Sequence, residues 1–292
     1  MSPAITYPTS SRTPFLELTH PKPHLWIIEL KNGQDNRLTT EFITTGIMPA
    51  LDEVERRWRV QWGQAQQQKK KELGNGALII TGRRDQDKFF SNGLDFEKAI
   101  KDLNFFPVTF DPMLTRILTF PIPVIAAING HAFAGGLMLS LACDYRVMTD
   151  GTKRNAWVCM NEVHFGAHWP HSFAALLRGK FGDHRLQRKI ALEGHRFTPQ
   201  EALQDGILDA IVDGKTPEII TTAEKIADRV SVNAATGVWG LIKHDLYRDT
   251  LEQMRRETRT TNAHIHDAAA RSALNKVLLR DPGPKFNNLR LF

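Results

Sequence analysis

Cysteine is scarce in this chain, and no apolar run approaches the length that crosses a bilayer. Cys143 and Cys159 are the only cysteines among 292 residues. Both stand in apolar stretches, so we expect two reduced core thiols in a reducing compartment rather than a disulfide or a nucleophile. The longest apolar runs, such as PVIAAI at residues 123–128, are far shorter than a membrane-spanning helix. The sequence therefore predicts no membrane span.

Recognisable targeting signals are also lacking. The first residues, MSPAITYPTSSRTPFLEL, contain neither the apolar core of a secretory signal nor an Arg-rich amphipathic pattern. Their Pro, Ser and Thr content predicts a flexible N-terminal arm over residues 1–20. The final residues, LRLF, do not match the Ser-Lys-Leu type of peroxisomal ending. Sequence signals alone therefore assign no compartment.

Acidic residues are outnumbered by basic ones. The chain has 38 Lys and Arg against 32 Asp and Glu, a net charge of +6. The excess is local, because residues 53–72 carry a net charge of +3 and residues 243–292 a net charge of +4. Such patches suit an anionic ligand, either a phosphate-bearing cofactor or a nucleic acid, although a solvated helix face is their more common meaning.

Short apolar segments alternate with helical ones before the chain becomes helical throughout. The strands are predicted at residues 24–30, 76–82 and 121–128. Residues 40–73 and the segments from residue 217 onward have the spacing of amphipathic helices, and TPQE at residues 198–201 is a capping-box pattern. This order predicts an α/β fold with a core over residues 21–215 and a helical C-terminal region over residues 216–292.

Two glycine-containing turns, SNGLD at residues 91–95 and HAFAGGL at residues 131–137, each follow a short apolar strand and open a helix. The first N–H groups of a helix have no intrahelical partner, and the helix dipole places partial positive charge there. Two such ends that converge would form an oxyanion hole, which stabilises an enolate oxygen. On spacing alone, ordinary turn or packing glycines explain the same pattern.

The segments FFSNGLDF, PVIAAINGHAFAGGLMLSLACDYRVM and MNEVHFG, in this order, resemble the signature of the enoyl-CoA hydratase/isomerase family, also called the crotonase family. The similarity covers roughly residues 25–240. It implies a crotonase-like spiral of repeated ββα units with a helical C-terminal trimerisation region, a homotrimer or hexamer, and an acyl-CoA substrate. It also implies no permanently bound cofactor, because coenzyme A arrives as part of the substrate, and a peroxisomal or cytoplasmic location.

The resemblance assigns roles to the residues of the two glycine turns. In the family, one backbone N–H from each turn forms the oxyanion hole, and by position these belong to Leu94 and Gly135 here. Neighbouring turn residues are implied to bind the substrate or its coenzyme A part. They are Ser91, Asn92, Gly93, Asp95 and Gly136.

Hydratases of the family usually hold two glutamates that together activate a water molecule, and this sequence keeps one of them. The first position aligns with Met138, whose thioether cannot transfer a proton, and the second aligns with Glu162. One carboxylate beside an oxyanion hole suffices to move a double bond, by taking a proton from C2 of a 3-enoyl thioester and returning it at C4. The chain is therefore most similar to Δ3,Δ2-enoyl-CoA isomerases. An enoyl-CoA hydratase or another enolate-stabilising acyl-CoA enzyme is the alternative.

An apolar wall beside Glu162 would raise its pKa toward neutral pH and improve it as a base and an acid. Met138, Phe165, Trp169 and His171 are the predicted residues of this acyl pocket. A solvated loop carboxylate is the ordinary interpretation of a single glutamate after a strand. The position of Glu162 within the motif favours catalysis instead.

His164, His168 and His171 cluster with Glu162, which suggests a zinc site as an alternative. A glycine and a proline interrupt this segment, so we do not expect one continuous helix to carry the ligands, and the HExxH order is missing. We predict no metal and expect the histidines to line the acyl pocket or to pack.

The segment RRWRVQW at residues 56–62 mixes Arg and Trp as nucleic-acid-binding surfaces do. An RNA-binding crotonase homologue with little or no catalysis is therefore the alternative from another functional class, and its binding would fall steeply with salt. Trp58, however, fits the apolar stripe of a helix, and the arginines fit its solvated face. We expect an acyl-CoA partner and neither a membrane nor a nucleic acid.

Overall fold

Strands and helices alternate along residues 3–9, 11–256 and 263–280, which are the residues that the computed structural model describes. The strands are β1 (Ile5–Tyr7), β2 (Leu16–Lys22), β3 (Leu25–Leu30), β4 (Ala77–Thr81), β5 (Phe89–Ser91), β6 (Val124–Ile128), β7 (His131–Phe133), β8 (Tyr145–Thr149), β9 (Val158–Cys159) and β10 (Ala210–Val212). The helices are α1 (Thr40–Phe42), α2 (Met48–Gln68), α3 (Phe96–Ala99), α4 (Asp111–Leu118), α5 (Gly135–Ala142), α6 (His171–Lys180), α7 (His184–Ala191), α8 (Pro199–Gln204), α9 (Thr216–Val230), α10 (Trp239–Leu246), α11 (Arg248–Arg255) and α12 (Ala263–Arg280). Two π-helical segments, Ile43–Ile47 and Phe105–Phe110, precede α2 and α4.

The strands form two sheets. The larger sheet has the order β1-β2-β3-β4-β6-β8-β10, and the smaller sheet has the order β5-β7-β9. The first three strands of the larger sheet pair antiparallel, whereas β3, β4, β6, β8 and β10 run parallel, with Ile27 opposite Ile79 and Ile79 opposite Ile125. The smaller sheet is parallel, and Phe89 lies opposite His131.

Consecutive strands alternate between the two sheets. The pairs β4 and β5, β6 and β7, and β8 and β9 each give their first strand to the larger sheet and their second to the smaller one, and a helix follows each pair. Parallel neighbours in one sheet need a crossover connection, which the second strand and the helix supply here. This is the α/β spiral of ββα units that the sequence predicts, so the fold prediction is confirmed.

The larger sheet is buried on both faces. On one face, side chains of the central strands such as Leu25 and Ile27 pack against α9. On the other face, Trp26 and Ile28 belong to a core shared with α2, α4 and α5. Burial on both faces explains why these strands appear in the sequence as continuous apolar runs rather than as alternating patterns.

The N-terminal segment contributes two strands to the larger sheet. β1 pairs with β2 and β2 pairs with β3, and Leu16 and Leu18 are buried. The predicted flexible arm over residues 1–20 is therefore wrong for these strands, and residues 1, 2 and 10 lie outside the described residues. The composition misled because Pro8 and Pro14 lie in the connection between β1 and β2, where they interrupt neither strand.

The C-terminal helices share a core with the sheet. α9 starts at Thr216, where the sequence predicts a separate helical region. It packs nonetheless on the larger sheet, with Ile219 and Ala223 buried, so that no second core begins there. The parts of the predicted helical region at residues 257–262 and 281–292 lie outside the described residues.

The capping box and the surroundings of the two cysteines agree with the predictions from the sequence. Thr198 and Glu201 form the expected capping box at the start of α8. Cys143 and Cys159 are free and buried, and burial raises the pKa of their thiols to about 12 and about 11, which leaves them protonated at neutral pH.

Across the described residues, we find no helix that is both long and apolar enough to traverse a membrane.

Candidate functional site

The two glycine turns meet where β5 and β7 end. The two strands pair in parallel, which places the turns that follow them side by side. A Cβ atom on Gly93 would lie 3.1 Å from the Gly135 nitrogen, and a Cβ atom on Gly135 would lie 2.7 Å from Leu94 Cδ2. Gly93 has a φ of +82°, a left-handed conformation that side chains disfavour. The fold thus brings Leu94 and Gly135 into contact distance across the two turns.

The backbone donors of this site stand at the start of a helix and in a braced loop. The Gly135 N–H is the first of α5, so its own helix offers it no acceptor. The turn before Leu94 is fixed by two bonds to the preceding loop, since the Leu38 N–H donates to the Gly93 carbonyl group and the Asn92 N–H donates to that of Asp35. This geometry is compatible with the predicted oxyanion hole, which stays a prediction.

Ala134, directly before α5, has a strained backbone. Its φ is +50° and its ψ is −122°, which costs an L-residue with a side chain about 1–3 kcal/mol. The Ala134 N–H donates to the Cys159 carbonyl group in β9 at 2.8 Å, and its carbonyl group accepts from the Met138 N–H at 3.1 Å. These bonds on both sides hold the strained residue and set the direction in which α5 begins.

Ser91 and Gly136 shape the turns. Ser91 is fully buried, and its hydroxyl group donates to the Asn36 carbonyl group at 2.8 Å and accepts from the Gly93 N–H at 3.2 Å. A Cβ atom on Gly136 would collide with the Ser91 carbonyl oxygen. The two turns therefore pack against each other in the space that Gly136 leaves, and contact of Ser91 and Gly136 with substrate stays a prediction.

Asn92 and Asp95 are held by protein groups. The Asn92 side chain donates to Asp35 Oδ2 at 3.0 Å, and Asp95 Oδ2 lies 2.8 Å from Lys98 Nζ. The hydrogen bond from Lys98 lowers the pKa of Asp95. Both side chains orient the first turn, and their contact with substrate, like that of Gly93, stays a prediction.

Glu162 is a buried carboxyl group with one free oxygen. It opens the 3₁₀ turn Glu162–Phe165 after β9, is 6 % exposed, and its Oε2 atom has no hydrogen-bond partner among the described residues. Burial raises the pKa of Glu162 to about 7, and hydrogen bonds from its own backbone and from the Trp169 side chain offset part of that rise. Such burial excludes the solvated loop carboxylate. A carboxyl group that titrates near neutral pH suits general acid–base catalysis.

The four residues of the predicted acyl pocket do not line one wall. His171 lines a cavity at the start of α6, whereas Trp169 lines a different cavity with Val163. Phe165 is 52 % exposed, and Met138 is fully buried in α5. The turn after Glu162 thus places these side chains on different surfaces, and their contact with an acyl chain stays a prediction. Trp169 is the member that contacts Glu162.

His164 and the arginines that suggested other functions have protein partners. His164 Nε2 lies 3.0 Å from the Glu193 carbonyl oxygen, and within the described ranges no three His, Cys, Asp or Glu side chains are grouped to hold a metal ion. In α2, Arg56 and Arg57 pair with Glu53, Arg59 pairs with Glu55, and Trp58 is buried. The three arginines of this segment are thus engaged with acidic side chains of the same helix.

A buried ion pair anchors the end of α5. Asp144 Oδ1 lies 2.8 Å from Lys243 Nζ of α10, and Asp144 Oδ2 accepts from the Val124 N–H at 2.8 Å. The side chains are 10 % and 5 % exposed. This pair joins the helix that begins at Gly135 to β6 and to the C-terminal helices.

Sequence reasoning missed two residues near the site that have buried polar atoms, Asp111 and Ser172. Asp111 is the first residue of α4 and Ser172 the second of α6. Asp before Pro at a helix start is common, as is Ser in a first turn. The sequence therefore carried no signal that separates these residues from ordinary helix-start residues.

The chain is similar in sequence and in fold to known acyl-CoA enzymes. The family described as Enoyl-CoA hydratase/isomerase matches residues 59–278. The peroxisomal enoyl-CoA delta isomerase 2 of Arabidopsis thaliana is 30% identical over 203 residues, 66% of this chain and 82% of that protein. Carnitinyl-CoA dehydratase of Escherichia coli K12 is 35% identical over 178 residues, 60% of this chain and 64% of that protein. The crystal structure of human mitochondrial Δ3-Δ2-enoyl-CoA isomerase is similar in fold, with a TM-score of 0.60, 21% identity, and coverage of 91% of this chain and 97% of its own.

Proposed function

The chain belongs to the enoyl-CoA hydratase/isomerase family, and we propose that it is a Δ3,Δ2-enoyl-CoA isomerase in fatty-acid metabolism with Glu162 as its acid–base residue. The observation that carries this proposal is the buried Glu162 carboxyl group, whose Oε2 atom has no protein partner among the described residues. Similarity to the Arabidopsis enoyl-CoA delta isomerase supports the same reaction.

In the proposed reaction, Glu162 removes a proton from C2 of a 3-enoyl thioester. The electron pair of the broken C–H bond moves into a dienolate, whose negative charge on the thioester oxygen is stabilised by the N–H groups of Leu94 and Gly135. Protonated Glu162 then gives the proton to C4, the double bond moves between C2 and C3, and the carbonyl group re-forms. No atom is gained or lost.

The number of carboxyl groups at the site distinguishes the proposed isomerisation from hydration. Hydratases of this family usually use a second glutamate, at the position where this chain has Met138. A fully buried thioether can neither bind a proton nor polarise a water molecule. The environment of Glu162 fits a group that must both take and return a proton, because a pKa of about 7 makes both steps accessible near neutral pH.

Isomerase and hydratase activity are distinguished by their products. We expect incubation with a 3-enoyl-CoA to give a 2-enoyl-CoA of unchanged mass, with the absorbance of a conjugated thioester. Incubation with the 2-enoyl-CoA should add no water. Mass spectrometry of both reactions decides the matter, since a product heavier by one water molecule identifies a hydratase and contradicts the proposal.

The pH dependence of kcat/KM should follow the ionisation of Glu162. The base must be ionised in the free enzyme, so we expect kcat/KM to rise about tenfold per pH unit below its pKa and to level off above about 7. Initial rates with one 3-enoyl-CoA from acid to mildly alkaline pH measure this midpoint. A midpoint at the usual glutamate value of 4.5 would contradict a base whose pKa is raised by burial.

Three further features are part of the proposal. Coenzyme A enters as part of the substrate, with no permanently bound cofactor. Assembly as a homotrimer or hexamer is supported by α10, which exposes Leu241, Ile242 and Leu246, apolar surface that contact between copies would bury. A peroxisomal or cytoplasmic location is consistent with the peroxisomal Arabidopsis relative.

A further inference from the structure

A cavity of about 580 Å³ lies between the first turns of α4 and α6. Two connections place it beside the proposed catalytic site. The Phe110 ring lies close to Gly135, since a Cβ atom there would be 3.3 Å from Phe110 Cζ, and the next residue, Asp111, lines the cavity. Trp169 contacts Glu162, and the chain that follows it, from Pro170 onward, also lines the cavity.

Apolar and polar side chains share the wall of this cavity, and its polar residues include Asp102, Asn104, Thr115 and His171. Ile100, Leu103, Phe106 and Met254 contribute hydrocarbon surface from three segments of the chain. Arg255, at the end of α11, lies at the same cavity. A partly apolar cavity next to the proposed thioester site can take an acyl chain that itself carries a polar group.

Two polar atoms in this wall lack partners. Asp111 Oδ1 and Ser172 Oγ are buried, and neither has a hydrogen-bond partner among the described residues. Ser172 is 2 % exposed. Burial raises the pKa of Asp111 to about 7, although the nearby Ser172 hydroxyl group lowers it in part. Buried polar groups without partners are costly, so two such groups side by side at a cavity offer a ligand atom a place to pair with both.

We propose that this cavity receives the distal part of an acyl chain that carries a hydroxyl group, which hydrogen-bonds to Asp111 and Ser172. The inference rests on the proposed function, since it assigns the acyl end of the same substrate. A hydroxyl group can donate to the Asp111 carboxylate and accept from Ser172 at once, so it satisfies both atoms without adding charge. A second carboxylate would instead be repelled by ionised Asp111.

Pairs of CoA thioesters test this subsite. Each pair has one chain length, with one member plain and the other hydroxylated at the chain end, and several lengths are compared. We expect wild-type protein to favour the hydroxylated 3-enoyl-CoA at one length by about tenfold in kcat/KM, the value of one well-placed hydrogen bond. Saturated acyl-CoA pairs should show the same preference in Kd by calorimetry, which requires no turnover.

Asp111→Leu and Ser172→Ala should abolish this preference. Both changes remove an unpaired polar atom, so we expect an unchanged or higher Tm, which shows that the variants fold. The matched control is Asp52→Asn, a surface carboxylate 69 % exposed that pairs with Arg116, and it should keep the wild-type preference.

The outcomes separate the subsite from the proposed function. Turnover of plain 3-enoyl-CoA without preference for the hydroxylated chain at any length overturns the subsite and leaves the isomerase proposal standing. A preference for a chain that ends in a carboxylate would assign the recognition to Arg255 and overturn the role of Asp111. Absence of both turnover and binding for every thioester overturns the subsite together with the proposed function.

Discussion

Glu162→Gln should lower kcat/KM for isomerisation of a 3-enoyl-CoA by about 10²–10⁴-fold, the usual contribution of a positioned acid–base group. Glutamine keeps the size of the side chain and can accept the hydrogen bond from Trp169, but it cannot take a proton. Binding of a non-reacting acyl-CoA should change little, because the proposed thioester contacts are backbone N–H groups. Single-substrate kinetics and calorimetry measure the two quantities on the same preparation.

The same variant should be more stable than wild type. Glu162 has a pKa of about 7 when folded and about 4.5 when unfolded, so above pH 4.5 the unfolded chain binds fewer protons than the folded one. Stability conferred by Glu162 is thus greatest below pH 4.5 and is lost as pH rises through 7. At pH 8 we expect Glu162→Gln to unfold at higher denaturant concentration, with a gain on the order of 1–3 kcal/mol.

Glu72→Gln is the matched control for the activity measurement, since Glu72 is an exposed glutamate in the turn after α2. It should change neither rate nor stability. Near-normal turnover by Glu162→Gln would remove Glu162 from catalysis, whatever the effect on stability.

Asp144→Ala should destabilise the protein by about 3–5 kcal/mol, because it leaves the Lys243 ammonium group buried without its counter-charge. The Val124 N–H loses its acceptor in the same change. At about 2–4 °C per kcal/mol, Tm should fall by roughly 10 °C. Thermal and denaturant unfolding of the purified variant measure the loss.

Two further variants identify the cause. Asp245→Ala removes an exposed partner of Arg248 on the same helix as Lys243, and it should cost less than about 1 kcal/mol. The double change Asp144→Leu with Lys243→Met should recover much of the lost stability, because an apolar pair of similar volume replaces a buried ion pair. A double variant as unstable as Asp144→Ala would mean that packing at Asp144, not the unpaired charge, is responsible.

Much of the candidate site was predictable because its residues stand in contiguous motifs. The glycines around Leu94 and Gly135, and Glu162 after a short strand, follow local rules of turns and helix starts. The absence of a carboxylate at Met138 is equally a property of the sequence. Ser91 and Gly136 have the same local signature, and only the tertiary structure shows that they contact each other.

By itself, the sequence determined the alternation of strands and helices, the capping box at Thr198, the two glycine turns and the single carboxylate of the motif. Only the tertiary structure decided that β2 joins the sheet, that Glu162 is buried with a free oxygen, and that Asp144 meets Lys243, 99 residues away. It alone placed Asp111 and Ser172 in one cavity. The physical reason is that helix and strand periods and turn chemistry act between near neighbours in the chain, whereas burial, pKa and ion pairing depend on which distant segments pack together.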